Sequence, residues 1–312
     1  MTGPHGELPI LPAGTQVVTT VDLRGDAGGV RVPRGAVGTI VKAPSDGTHS
    51  YRVELVDGGE VALLRDQLAT LARWQDSAFA VPQLGGSSLF ERVILRVVVG
   101  SRAYGLDEPG SDTDRRGVFL PPAELHWSLF GVPEQIDDEP EQEIFWELQK
   151  LIVMALKANP NVLECLWSPL VEVATPLGRE LLALRESFLS QLVFQTYSGY
   201  VASQFKKIAA DLRQRGEPKW KHVMHLLRLL QAGIQVLRTG SVPVHVGAER
   251  ERLLAVRRGE IAWSDVERWR RDLHAQFTAA AGETKLPVRP DYERADAFLR
   301  RARRLALGKE LP

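Results

Sequence analysis

Gly100-Ser-Arg-Ala-Tyr-Gly-Leu106 and, after a short spacer, Gly110-Ser-Asp-Thr-Asp-Arg-Arg-Gly117 form the stretch whose reading decides the fold. It follows the run Arg92-Val-Ile-Leu-Arg-Val-Val-Val99, whose β-branched content predicts a buried strand, and it precedes Val118-Phe-Leu120, a second short strand. A glycine at the end of a strand lets the chain turn sharply and lets a ligand approach main-chain N–H groups. Ser101 adds a hydroxyl. Asp112 and Asp114 are two residues apart, so on extended backbone they face the same side. Neighbouring carboxylates repel unless a cation lies between them. Mg²⁺ is held by one or two carboxylates plus substrate phosphates, which suits this pair to a nucleotide–metal complex.

Singly, these signals are weak, because Asp-x-Asp also occurs in solvated turns and calcium loops. The further oxygen ligands of an EF-hand are missing downstream. The Gly-x-Ser-x-Gly elbow of a serine hydrolase and the lysine of a P-loop are also missing. Strand, Gly-Ser, spacer and Asp-x-Asp together carry the information.

Downstream, Glu143–Trp146 reads as a third strand running into a helix, with Leu148, Leu151, Ile152, Met154 and Ala155 at helical spacing. Asn159-Pro-Asn161 ends that helix, since proline excludes its predecessor from helical geometry; the two asparagines cap and shape the turn. Val162–Trp167 is another short helix. The remainder is helical. Apolar periodicity runs through Leu177–Ala202 and Val201–Leu212. Trp220–Leu237 ends at Thr239-Gly240, a glycine C-cap. Ser264 with Glu267 three residues on predicts a capping box for Ser264–Ala281, and a basic helix closes the chain over Tyr292–Leu307.

Upstream, residues 1–75 alternate short β-branched runs (Thr15–Val21, Val37–Val41, Tyr51–Leu55, Val61–Leu64) with turns at Asp26-Ala-Gly-Gly, Arg34-Gly, Asp46-Gly and Asp57-Gly-Gly. Asp-Gly between apolar runs is a hairpin signal, and such spacing suggests a small barrel. Residues 76–90 read as a linker or entry helix, with Gly85-Gly-Ser-Ser as punctuation.

Lys plus Arg and Asp plus Glu balance at 39 each, so any polyanion would be met by a local patch. The single cysteine, Cys165, excludes a disulfide framework and a cysteine zinc site. No basic-then-apolar leader and no apolar run of about 18 residues is present. The expectation is a cytoplasmic protein with no membrane partner.

The combination around Gly100–Gly117 resembles the nucleotidyltransferases of the DNA polymerase beta superfamily. Gly100-Ser-Arg-Ala-Tyr-Gly-Leu, Ser111-Asp-Thr-Asp-Arg-Arg-Gly and Lys157-Ala-Asn-Pro-Asn-Val-Leu-Glu are similar to the RNA-ligase-associated, RNA-repair branch, over about Arg92 to Asp296. The first segment, with Gly38-Thr-Ile-Val-Lys and Tyr51-Arg-Val-Glu-Leu, resembles SH3-like and KOW-like barrels. The expected architecture is an α/β nucleotidyltransferase (polymerase-beta-like) core over 76–185, a helical C-terminal domain over 186–312 and an N-terminal SH3-like β-barrel over 1–75.

The resemblance implies that Gly100 and Ser101 hold phosphates of a nucleoside triphosphate. It implies that Asp112 and Asp114 bind Mg²⁺ (or Mn²⁺), and that a third acid joins them, here Glu143, with Glu141 and Glu147 as alternatives. Lys221, His225 and Arg228 share a helix face. Such a stripe is ordinarily solvated; the resemblance implies that it meets the triphosphate or the acceptor. Lys206 and Lys207 beside Tyr197, Tyr200 and Phe205 read as a surface pair next to core aromatics. Of Arg115 and Arg116, one would meet phosphate and one a structural acid. Arg300, Arg301, Arg303 and Arg304 are the best RNA-backbone candidate, although Asp291, Glu293 and Asp296 favour an ordinary charged helix.

The implied reaction moves a nucleoside monophosphate from a triphosphate to a hydroxyl, first of all an RNA 3′ end, releasing pyrophosphate. Protein or small-molecule hydroxyls stay open as acceptors. Two other classes also stay open, a non-catalytic nucleotide-binding regulator and an RNA-binding adaptor led by the first domain.

Overall fold

The computed structural model describes residues 10–24, 30–44, 49–78, 89–129 and 131–307. The chain divides into two compact units, Met1–Leu84 and Gly85–Pro312. The turns expected at Asp26 and Asp46, and the punctuation at Gly85, lie outside the described residues.

In the first unit β1 (Gln16–Thr19), β4 (Val37–Lys42), β5 (Tyr51–Leu55), β6 (Glu60–Leu63) and β7 (Leu68–Thr70) form an antiparallel sheet ordered β6-β5-β4-β1-β7. A small hairpin, β2 (Leu23–Arg24) with β3 (Val30–Val32), stands apart from it. The expected Asp57-Gly-Gly turn joins β5 to β6: Gly58 has φ 83° and the Asp57 carboxylate accepts from the Gly59 amide at 2.9 Å. Among the described residues the sheet does not close into a barrel, since β6 and β7 remain its edges. It cannot be flat either. Edges of a flat five-stranded sheet stand about 19 Å apart, and a single 3-10 turn, Arg65–Gln67, links β6 to β7. At about 2 Å of rise per residue such a link is too short to cross a flat sheet, so the sheet curls around Val17, Ile40, Tyr51, Val53 and Leu63. Helix α1 (Leu71–Ala78) follows.

The second unit is built on β8 (Val93–Val98), β9 (Arg115–Phe119), β10 (Gln135–Asp138), β11 (Glu143–Glu147) and β12 (Val171–Ala174), ordered β10-β11-β9-β8-β12. Only β9 and β11 run parallel. A bulge between Val93 and Leu95 breaks alternation, and both Ile94 and Leu95 reach the main core. Phe119, Ile136 and Phe145 form a separate cluster.

The helices are α2 (Gly100–Tyr104), α3 (Leu148–Leu156), α4 (Pro160–Trp167), α5 (Pro176–Leu184), α6 (Leu192–Arg215), α7 (Trp220–Thr239), α8 (Arg250–Arg257), α9 (Trp263–Glu283) and α10 (Tyr292–Leu305). Asn159 caps α4 as expected, accepting from the Asn161 and Val162 amides with Pro160 in the first turn. Gly240, at φ 69°, closes α7.

Two helical expectations are corrected. The periodicity of 177–202 is not one helix: α5 ends in a 3-10 turn at Arg185–Phe188, and α6 starts afresh at Leu192 and runs to Arg215. Both segments bury the same kind of face, Leu181 and Leu184 on one and Val193 and Tyr197 on the other, so apolar spacing carries through the break. Ser264 does not cap α9, which begins one residue earlier with Ala262 at the cap and no side-chain bond, while Glu267 pairs with Arg270 at 3.0 Å.

Candidate active site

Gly100 follows β8 after Val99 and starts α2 with φ 68°, a region that costs any residue with a Cβ. A Cβ there would also lie 2.5 Å from Asp114 Oδ2. The glycine is therefore what allows the start of α2 to lie against the carboxylate. Gly105 ends α2 at φ 68°, and a Cβ on it would meet His245 Nε2 at 2.3 Å.

The loop from Gly105 to Asp114 is held from both sides. Arg102 donates to the carbonyls of Ser111 (2.8 Å) and Asp112 (3.3 Å). From α8, Arg250 donates to the carbonyls of Gly105 (2.8 Å) and Asp107 (3.2 Å), and Arg257 to that of Leu106 (3.3 Å). Glu108 pairs with Arg257 and Arg258, each at 3.3 Å. Val99 donates its amide to the Asp114 carbonyl at 2.9 Å, which ties the aspartate pair to the strand end.

The result is a cavity of about 410 Å³. Gly100, Ser101, Asp112 and Asp114 line it from the strand–loop side; Lys221, His225 and Arg257 line it from α7 and α8. Asp114 has one cation nearby, Arg116 at 4.0 Å. Burial, with Arg228 and Lys221 close by, pushes the His225 imidazole down to about 4, so at neutral pH it is uncharged and offers one N–H donor and one acceptor nitrogen.

Six of the eight expected site residues thus meet in one cavity. Arg228 and Glu143 do not. Arg228 is buried behind α2, donating to Glu164 Oε1 at 2.7 Å with its guanidinium 3.8 Å over the Tyr104 ring. Tyr104 donates its hydroxyl to the other Glu164 oxygen at 2.6 Å. Burial opposes the Arg228 charge, yet the adjacent Glu164 outweighs it and holds the group firmly protonated. Burial raises the Tyr104 phenol far above its ordinary range, and Glu164 adds to the effect. This triad locks α2, α4 and α7 together.

Glu143 is in register with Arg115, one residue beyond Asp114. Because side chains alternate along a strand, it takes the face opposite to Asp114. Its carboxylate is 3.4 Å from Arg96 and 3.9 Å from Arg115 and is nearly buried. Counting back in the same register, the residue beside Asp114 is Gln142, at φ 53°. Neither alternative acid joins the cavity: Glu147 caps α3 and faces His126 and Arg303, and Glu141 lies in the exposed turn before β11. No group of three His, Cys, Asp or Glu among the described residues could hold a metal.

The other candidates divide as follows. Arg115 binds Glu172 at 2.9 Å, and Arg116 is the arginine beside Asp114. Tyr197 is core, and the Tyr200 hydroxyl accepts from Asn159 at 2.8 Å. On α10, Arg300 pairs with Asp296, Arg301 with Glu180, and Arg303 with Gln149 and Glu147. Those three arginines are committed to intramolecular partners.

With this geometry in place, comparison with known proteins is decisive. The sequence model of the RNA repair pathway DNA polymerase beta family matches residues 65–301. The chain belongs to that family. The match starts earlier than the resemblance at Arg92, taking in β7 and α1 of the first unit. One relative, the uncharacterized protein YcgL of Bacillus subtilis (strain 168), is 29% identical over 158 residues, 49% of this chain and 59% of that one. The matched segment therefore spans about six-tenths of the relative's length. Polymerase-beta-type proteins are generally nucleotidyltransferases that use divalent metals, and the α/β sheet with its helical partner fits that class. No helix among the described residues is long and apolar enough to cross a membrane.

Sequence reasoning missed the α8 arginines and Glu108. Four arginines within nine residues, Arg250 to Arg258, were the available signal. Arg250 and Arg257 reach backbone carbonyls of the Gly105–Asp107 segment, which no sequence pattern displays.

Proposed function

We propose that the protein transfers a nucleoside monophosphate from a nucleoside triphosphate to an RNA 3′ hydroxyl, releasing pyrophosphate. One observation carries this reading: the aspartate pair and the Gly-Ser turn share a cavity with a cationic wall, Lys221 and Arg257. Family membership supports it.

The donor set fits one Mg²⁺ (or Mn²⁺). Both ligands would be hard carboxylate oxygens, Asp112 and Asp114, and the nearest arginine to Asp114 stands 4.0 Å away, too far to satisfy it. Such an ion, when bound, neutralises phosphate charge and polarises the reacting phosphorus. Glu143, engaged by Arg96 and Arg115, has a scaffolding role in this proposal. Lys221 supplies positive charge to the triphosphate, and Arg257, paired with Glu108, holds the loop that carries the aspartates, so that positioning and electrostatics provide most of the rate. The Ser101 hydroxyl donates to a phosphate oxygen. Neutral His225 orients the acceptor or the nucleoside by hydrogen bonding, without adding charge.

The acceptor is tested by offering short RNAs ending in a free 3′ hydroxyl or in a 3′ phosphate, with each labelled triphosphate. The proposal expects label on the hydroxyl-ended RNA alone. Label on both, or on the protein itself, would move the acceptor elsewhere.

The absence of Glu143 from the cavity favours one second reading, a nucleotide-binding regulator that does not transfer. Stoichiometric triphosphate binding with no pyrophosphate formed would establish it.

A further inference from the structure

On α7, away from the aspartate pair, two cavities of about 400 and 130 Å³ adjoin, sharing Gln231, Gln235 and Glu249 in their walls. The Oε2 atom of Glu249 is buried and has no hydrogen-bond partner among the described residues. The same holds for Nε of Arg228, a buried side chain lining the smaller cavity. Buried polar atoms are normally paired, and one that is not calls for an explanation. In the larger cavity the Arg252 guanidinium lies 3.6 Å over the ring of buried Trp269. Arg252 itself is exposed at the cavity. Arg238 lies on the same wall.

These features ask for a specific chemistry. A carboxylate only accepts, so its partner must present donors. A guanidinium plane stacked on a tryptophan is a platform for a flat π-system, as arginine planes are for unpaired bases. Amide side chains at Gln231 and Gln235 can both donate and accept, and Arg238 offers charge to an anion. Among nucleobases, guanine alone presents two adjacent donors, N1–H and N2–H, to one carboxylate. Adenine and cytosine set an acceptor beside their amino group, and uracil flanks its N–H with carbonyls.

We propose that this second cavity binds a guanine nucleotide, its base stacked on Arg252, its donor edge read by Glu249 and its phosphate met by Arg238. The site is independent of transfer chemistry and needs no metal. The ligand could be a free guanine nucleotide or an unpaired guanosine of RNA, and the experiment separates them.

The full chain in excess EDTA is titrated calorimetrically with GMP, AMP, CMP and UMP. Binding of a fluorescent G-containing RNA is measured beside its A-substituted counterpart. The proposal expects GMP, the G-containing RNA, or both to bind preferentially. Glu249→Gln should weaken that binding about tenfold or more, the range for loss of a charged hydrogen bond. Arg252→Met, which leaves the carboxylate in place, should weaken it as well. The Asp112→Asn/Asp114→Asn protein should bind as the unmutated protein does, so failure of the transfer reading leaves this result intact. Preference for GMP assigns the free nucleotide, and preference with RNA alone assigns an RNA guanosine. No guanine preference with either probe would overturn the proposal. So would a preference that survives Glu249→Gln and Arg252→Met but is lost in Lys221→Ala, which would place the ligand in the first cavity.

Discussion

At the scale of single residues, the site depends on how close groups of one charge are allowed to come. Asp112 and Asp114 stand at a solvent-reachable cavity, with Arg116 reaching Asp114 only at 4.0 Å, and two neighbouring carboxylates so loosely paired cost stability unless they serve binding. Asp112→Asn or Asp114→Asn should therefore abolish transfer while changing unfolding free energy by no more than about 0.5 kcal/mol, as surface substitutions do; pyrophosphate release and urea melts check the two halves. Gly100→Ala should be inactive and destabilised by about 1 kcal/mol or more, because the new Cβ both strains a φ of 68° and strikes Asp114. Retained activity would mean that the start of α2 can move without consequence. Arg228 is the opposite kind of residue. Arg228→Met leaves the Glu164 carboxylate buried without its counter-charge, held by Tyr104 alone, a loss of about 3–5 kcal/mol. The double variant Glu164→Gln/Arg228→Met should recover part of that loss in denaturant melts, since it removes the orphaned charge.

At the scale of elements, α7 explains why three residues on one helix face have two fates. Lys221 and His225 reach the cavity from the first turns, whereas Arg228 lies where α7 meets α2 and α4, so the same stripe passes from solvent into core. The spacing was legible in the sequence; the packing partners that bury Arg228 were not, because Tyr104 and Glu164 lie far away along the chain. The same limit explains Glu143. A strand at Glu143–Trp146 could be read from its residues, but which of its faces meets Asp114 depends on register across β9, and a shift of one residue reverses every side chain. By contrast, Gly100, Ser101, Asp112 and Asp114 were readable because one turn and one loop bring them together locally. His225 gives α7 a pH signature. Its pKa falls from 6.5 unfolded to about 4 folded, so the unfolded chain takes up the proton first as pH drops. Stability should decline between those two values and level off below them. His225→Gln should flatten that part of the profile, measured as unfolding free energy against pH.

At the scale of the whole molecule, the chain is two units of different kinds: a curled antiparallel sheet whose β5–β6 hairpin was visible as the Asp57-Gly-Gly turn, and an α/β body whose aspartate-bearing cavity is lined by residues between Gly100 and Arg257. Residues 85–312 hold the large core, so that fragment should fold and keep nucleotide binding; calorimetry on the isolated fragment checks this, and loss of binding would show that the first unit contributes to the site. The family match reaching back to residue 65 makes the fragment boundary worth testing at both positions. The central claim, that Asp112 and Asp114 are the metal-binding centre of a nucleotidyltransferase, is tested most directly by one assay. The full chain, Mg²⁺, each α-labelled nucleoside triphosphate in turn and a mixture of short RNAs are incubated beside the Asp112→Asn/Asp114→Asn protein. Label on RNA, with pyrophosphate released, is expected from the unmutated protein alone. Equal labelling by the double variant would contradict it.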